Sequence, residues 1–146
     1  MYERAPVHSF SKVSLVPAKI AKIVLPEAGL LQLVDMKGKG RGVVATRAIK
    51  KGKLIEKAPI IKLKKADRLS RETVLSHYPF EWPAKPYVQA FPLGFAGLLN
   101  HSDKPNCKIE RDMEGETLDI YALRDIEPGE ELCWNYGIDP WFEVAK

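Results

Sequence analysis

Along most of this chain short apolar runs are separated by glycine, proline and polar turns, the pattern of short strands. "LLQLVDM" (30–36) reads as one strand that runs into a glycine turn over 38–42. "GVVATRAI" (42–49) predicts a second strand and "KKG" (50–52) a turn. "KLIEKAPIIKL" (53–63) predicts a third, β-branched strand, interrupted at Pro59 because proline has no N–H to give a ladder. "CKIERDMEGETLDIYAL" (107–123) alternates on both sides of Glu114-Gly115, which predicts a hairpin. Pro128-Gly129 marks a turn, and "ELCWNYG" a last short strand. The exception is "KADRLSRETVLSHYPFEW" (65–82), where Asp67 or Ser70 can start a helix of about two turns. "VSLVPAKIAKIVLPEAG" is apolar enough to pack but is cut by Pro17, Pro26 and Gly29. It predicts an extension, residues 1–29, that docks on the core and supplies an edge strand.

One stretch returns. "ATRAIKKGKLI" (45–55) matches "ALRDIEPGEEL" (122–132) at Ala, Arg, Ile, Gly and the closing aliphatic residue. Two copies are too few for a solenoid. They predict two similar strand–turn–strand corners, each with an inward aliphatic and a glycine at φ > 0.

Composition sets the bounds. A chain of 146 residues with 45% hydrophobic residues makes one domain with one core. Eleven prolines and ten glycines favour short strands over a helical bundle. The net charge of +4 favours anionic partners only mildly. A basic run at Lys37, Lys39, Arg41, Arg47, Lys50, Lys51, Lys53 and Lys57 reads first as a solvated face, so direct nucleic-acid binding is not predicted. Two cysteines and three histidines give no zinc spacing and no disulfide framework, so no metal site is expected. No apolar run approaches the roughly 20 residues of a membrane span, and "MYERAPVHSF" is not a signal peptide; the reading is of a protein that is not secreted.

Three motifs carry candidate chemistry. In "KGKGRGVVA" (37–45) glycines at alternate positions strip side chains from a turn, so its backbone can approach a ligand. The spacing is neither a dinucleotide fingerprint nor a Walker loop; alone, it also fits a plain turn between strands. In "LLNHSDKPNC" (98–107) Asn100 offers two donors and an acceptor, Ser102 and Asp103 make local turns, and Pro105-Asn106 ends the loop. His101, taken alone, is more often structural than catalytic. In "EELCWNYG" (130–137) Tyr136 fits either a core or a cavity wall.

In this order, and with "GKGRGVVATRAIKKGKLI" and "LLNHSDKPNC…ALRDIEPGEELCWNYG" in one chain, the sequence resembles the SET-domain protein lysine methyltransferases over residues 30–137. The resemblance implies a mainly β (β+α) fold of several small β-sheets, a C-terminal pseudoknot and a short helical insert over 64–97. Residues 138–146 would close the domain. It implies an enzyme that uses S-adenosylmethionine to methylate a lysine of a protein or peptide, a histone or another basic protein. The alternative is a non-catalytic module of the same fold that binds a peptide or nucleic acid. Backbone groups of Lys39, Gly40 and Arg41 would hold the donor's amino-acid end. Asn100 and the backbone around His101 would hold its amino-acid and adenine parts. Tyr136 would be the catalytic residue at the junction of donor and lysine channel.

The chain departs from the family where "GIDPWFEVAK" replaces a Cys-rich zinc segment; Trp141 or Phe142 would then cover the adenine or complete the channel. It departs again where Lys57, not tyrosine, follows Glu56, so a channel tyrosine would come from the insert. Trp134, Tyr87 and Phe91 are the expected channel residues, with Trp134 standing where relatives usually carry Phe or Tyr. The protein would be nuclear in a eukaryote and cytoplasmic in a prokaryote.

Overall fold

The structure is a computed structural model and describes residues 23–137. Its strands are β1 (Leu31–Met36), β2 (Gly40–Ala45), β3 (Leu54–Lys64), β4 (Phe80–Glu81), β5 (Tyr87–Pro92), β6 (Asn100–His101), β7 (Cys107–Asp112), β8 (Thr117–Ala122) and β9 (Cys133–Trp134). They form three small sheets: the β1–β2 hairpin, a five-stranded sheet in the order β4-β5-β3-β8-β7, and a parallel β6–β9 pair. The runs read as strands form strands, the second running Gly40–Ala45 rather than 42–49, and Glu114-Gly115 lies between β7 and β8.

Two local expectations need correction. Pro59 does not interrupt β3, which runs through it as one strand of 11 residues. Residues Leu54 to Pro59 pair with β8, and Ile60 to Lys64 pair with β5 on the opposite edge. The proline sits where one ladder hands over to the other, and only its carbonyl is used, accepting from the Leu93 amide at 2.9 Å. The helix over 65–82 is not formed; 3-10 turns at Lys65–Asp67 and Val74–His77 take its place, and the described residues contain no α-helix. Val74 and Leu75 are its adjacent apolar residues, and both are exposed, so a helix there has no stripe to bury.

The two similar corners meet each other. Ile49 and Ile126 exchange both backbone hydrogen bonds at 2.9 Å. Around them the partners repeat in reverse: the amide of Ala45 donates to the Glu130 carbonyl, and that of Ala122 to the Lys53 carbonyl. Both isoleucines are fully buried, with Leu30, Val43, Ile55, Leu118, Ile120 and Leu132 in the same core. Each such side chain contributes about 1.5–3 kcal/mol on burial. The internal repeat is thus the seam that closes the core.

The segment after Gly129 passes between two walls. On one side the amide of Leu132 donates to the Val43 carbonyl of β2. On the other, β9 pairs with β6, and Asn106 clasps the chain. The Asn106 amide donates to the Glu131 carbonyl at 2.7 Å, and its Oδ1 accepts from the Cys133 amide at 2.8 Å. Asn106 is 3% exposed, so each bond satisfies a group with no access to water. From the expected N-terminal extension, Val24 makes one bridge to Lys57 of β3, and the rest of the expectation for 1–22 lies outside the described residues. Among the described residues, five of the eight basic residues in the run 37–57 are ion-paired with carboxylates, Arg47 and Lys53 sharing Glu27.

Candidate active site

The crossing brings three distant motifs to one cavity of about 910 Å³. The β1–β2 turn contributes Gly38, Lys39, Gly40 and Arg41; β6 contributes Asn100 and His101; β9 and its exit contribute Trp134 and Tyr136. The turn takes this shape because of its glycines. Gly40 has φ +73°, a conformation costly for other residues. At Gly42 a Cβ would lie 2.2 Å from Sδ of Met36 and 2.9 Å from Oε1 of Glu131, so the strand approaches its neighbours only without a side chain.

Asn100 ties the turn to the crossing. Its Nδ2 donates to the Arg41 carbonyl at 3.0 Å and to the Glu131 carboxylate at 2.8 Å. Glu131 also pairs with Lys39 at 2.9 Å. That partner raises the Lys39 pKa above the ordinary lysine value. Both donor hydrogens of Asn100 are thus committed to the protein, and its Oδ1 remains as an acceptor on the cavity wall.

Tyr136 is held at both ends. Its amide donates to Nδ1 of His101 at 3.2 Å and its hydroxyl to the Leu99 carbonyl at 3.0 Å. Burial, with the nearby Cys133, Tyr78 and Glu131, pushes the phenol pKa up. The hydroxyl therefore stays protonated at neutral pH and acts as an oriented donor. Trp134 stacks on Phe80 with centroids 5.1 Å apart and lies 5.1 Å from the Tyr136 ring. One side of the indole packs on the core and the other lines the cavity.

Two expected channel residues are elsewhere. Tyr87 and Phe91 do not line this cavity: the Tyr87 ring lies 4.4 Å from Nζ of Lys62, and Phe91 packs on Tyr78 at 6.3 Å. Their places are taken by Tyr78 and Phe80, which come from the same insert and do line it. Lys57, at the position where a tyrosine was missing, is ion-paired to Asp112 and Asp119, each at 2.7 Å. Trp141 lies outside the described residues. Glu131 was not singled out in the sequence; the doubled acid of "GEEL" was its only sign.

The thiols of Cys107 and Cys133 are buried and each is pushed up to about 12, chiefly by desolvation, so neither is a nucleophile at neutral pH. Among the described residues no group of three His, Cys, Asp or Glu side chains could hold a metal ion, and no helix is long and apolar enough to cross a membrane. What remains is a cavity with aromatic walls, a stripped backbone turn, one amide oxygen and one oriented phenol. That set can bind and align two reactants.

Comparison with known proteins gives the same direction. Residues 40–137 match the family model described as SET domain. A fission yeast (Schizosaccharomyces pombe) protein named histone-lysine N-methyltransferase, H3 lysine-37 specific, is 34% identical over 115 residues, covering 77% of each chain. The Danio rerio N-lysine methyltransferase KMT5A-A is 32% identical over 117 residues, covering 70% of this chain and 33% of that protein. The Arabidopsis thaliana histone-lysine N-methyltransferase ASHH1 is 32% identical over 124 residues, covering 79% of this chain and 25% of that protein. A crystal structure from Plasmodium falciparum, described as a candidate histone methyltransferase, superposes with a TM-score of 0.59 at 27% identity, over 75% of this chain and 98% of that one.

Proposed function

The chain belongs to the SET-domain family of lysine methyltransferases, and from that premise we propose that it moves a methyl group from S-adenosylmethionine to a lysine side chain of a protein substrate. The observation that carries this reading is the meeting of the 38–41 turn, Asn100 and Tyr136 at one cavity. A histone is the first substrate to try, because the fission yeast relative carries histone H3 in its name. In a eukaryote, that substrate places the protein in the nucleus.

The residues present fit the donor. The free Oδ1 of Asn100 suits an ammonium group, and the backbone of Lys39, Gly40 and Arg41 suits the adjoining amino-acid end. The backbone around His101 would hold the adenine; Trp141, its expected cover, lies outside the described residues. When bound, this donor supplies a methyl carbon on a sulfonium, an electrophile that a neutral amine can take.

The chain's own part is to deliver that amine. A free lysine has a pKa of about 10.4 and arrives protonated. Tyr78, Phe80, Trp134 and Tyr136 line the cavity with aromatic surface; partial desolvation of the ammonium against it would lower that value, and the proton would leave to solvent through the open mouth. The Tyr136 hydroxyl and the Leu99 carbonyl then fix the line of approach. No protein nucleophile and no metal are needed for that task.

The test is incubation of the purified protein with isotopically labelled S-adenosylmethionine and a cell lysate, followed by mass spectrometry of labelled lysines. Label on a small set of lysines supports the proposal. Donor binding with no label on any lysine would instead leave a non-catalytic binding module.

A further inference from the structure

Glu56 lies in β3, off the cavity wall, and is 3% exposed. Among the described residues it has no cationic partner. Its two carboxylate oxygens accept instead from the amides of Phe95 at 3.1 Å and Ala96 at 3.0 Å. Gly94 is shaped around it: a Cβ there would lie 2.4 Å from Oε1 of Glu56 and 3.0 Å from the Ala58 Cβ. A buried carboxylate and the glycine that admits it hold one short turn, Phe95–Gly97.

That turn leads directly to the reacting end of the cavity. Ala96, Gly97, Leu98, Leu99 and Asn100 all line it. The Leu99 carbonyl accepts the Tyr136 hydroxyl at 3.0 Å. We infer that Glu56 is a positioning residue for Tyr136: by fixing the 95–97 turn it sets the Leu99 carbonyl on which the phenol is oriented. Glu56 touches no reactant. Its pKa is raised, chiefly by burial, with the two amide donors pulling the other way.

The kinetic readout rests on the methyltransferase reading; the spectroscopic one does not. Glu56→Gln keeps the shape but turns one acceptor into a donor facing an N–H. It should lower kcat about tenfold and leave peptide KM within about twofold, since alignment and not binding is lost. In a Tyr136→Phe background the same change should be nearly silent, because the group it positions is gone. Ile120→Val, a core change on β8 away from the cavity, serves as a stability control and should keep kcat. The ¹³Cζ resonance of Tyr136, assigned by its loss in Tyr136→Phe, should move in Glu56→Gln and titrate at lower pH than in the wild type. Gly94→Ala presses on the same carboxylate from the other side and should move the same resonance, which covers the case where Glu56→Gln does not fold. Additive kinetic losses, or an unmoved Tyr136 resonance, would overturn the inference. Absence of turnover in every variant, wild type included, would count against methyl transfer alone, and the resonance would still decide the role of Glu56.

Discussion

The backbone amide of Tyr136 donates to Nδ1 of His101, and that bond settles the tautomer of the histidine. With Nδ1 an acceptor, the ring proton sits on Nε2, where it meets Asp103 at 3.1 Å. The imidazole is buried, and its edge packs on the Tyr136 ring at 5.2 Å. His101 thus straps the tyrosine in place.

His101→Ala should therefore act on structure first. It leaves a partly buried amide without its acceptor, a loss of about 1–3 kcal/mol, together with the packing of the ring. Thermal unfolding should show a lower Tm. A variant with unchanged Tm would mean that the strap carries no stability.

Asn100→Ala should weaken donor binding. A lost hydrogen bond to a charged group costs about 1.5–3 kcal/mol, which is roughly tenfold to a hundredfold in Kd. Calorimetry with S-adenosylmethionine reads this directly, and a parallel Tm shows how much comes from freeing Arg41 and Glu131. Unchanged affinity would confine Asn100 to tying those two residues together.

Trp134 should limit how many methyl groups the lysine takes. The indole fills cavity wall between Phe80 and Tyr136, and space beside the amine must open for each added methyl. The wild type should stop at a low methylation state and Trp134→Phe should shift product toward higher ones. Mass spectrometry of a saturating reaction checks this. The same product distribution with a lower Tm would place the indole's influence in the core alone.

Acid should loosen the seam at Glu130. Chiefly through its hydrogen bond from Arg124, Glu130 is lowered from an ordinary 4.5 to about 2, so it binds fewer protons folded than unfolded. Its contribution is complete above pH 4.5 and is lost as pH falls through 2. Glu130→Gln should lower Tm by about a few degrees at pH 7, and the gap should close on acidification toward pH 2. A gap that stays constant with pH would show that charge has no part in it.

Much of this architecture was legible because short apolar runs bounded by turn residues have the length of strands, as 31–36 and 107–122 do, although β8 proves buried at nearly every position rather than on one face. The repeat was legible too, but its meaning was not: only the fold shows that Ile49 and Ile126 bond to each other. The insert was misread because Asp67 and Ser70 are good helix starts with no apolar stripe behind them. Within it, aromatic content alone does not tell one face of β5 from another, so Tyr87 and Phe91 were expected where Tyr78 and Phe80 stand. Glu56 was met only as the acid before Lys57 and Glu131 only within the doubled acid of "GEEL"; the role of Glu56 was not legible because its partners lie 39 and more residues away.

The most direct measurement combines the pure protein, S-adenosylmethionine and recombinant histone H3, read by intact mass and peptide mapping. The wild type should add methyl mass to lysine and to no other residue type. Tyr136→Phe should fold and bind the donor comparably while turning over roughly a hundredfold slower, because the hydroxyl acts on alignment. Wild-type turnover in Tyr136→Phe would contradict the role given to the phenol. A protein that binds the donor yet methylates no lysine of H3 or of a whole lysate would contradict the account at its centre.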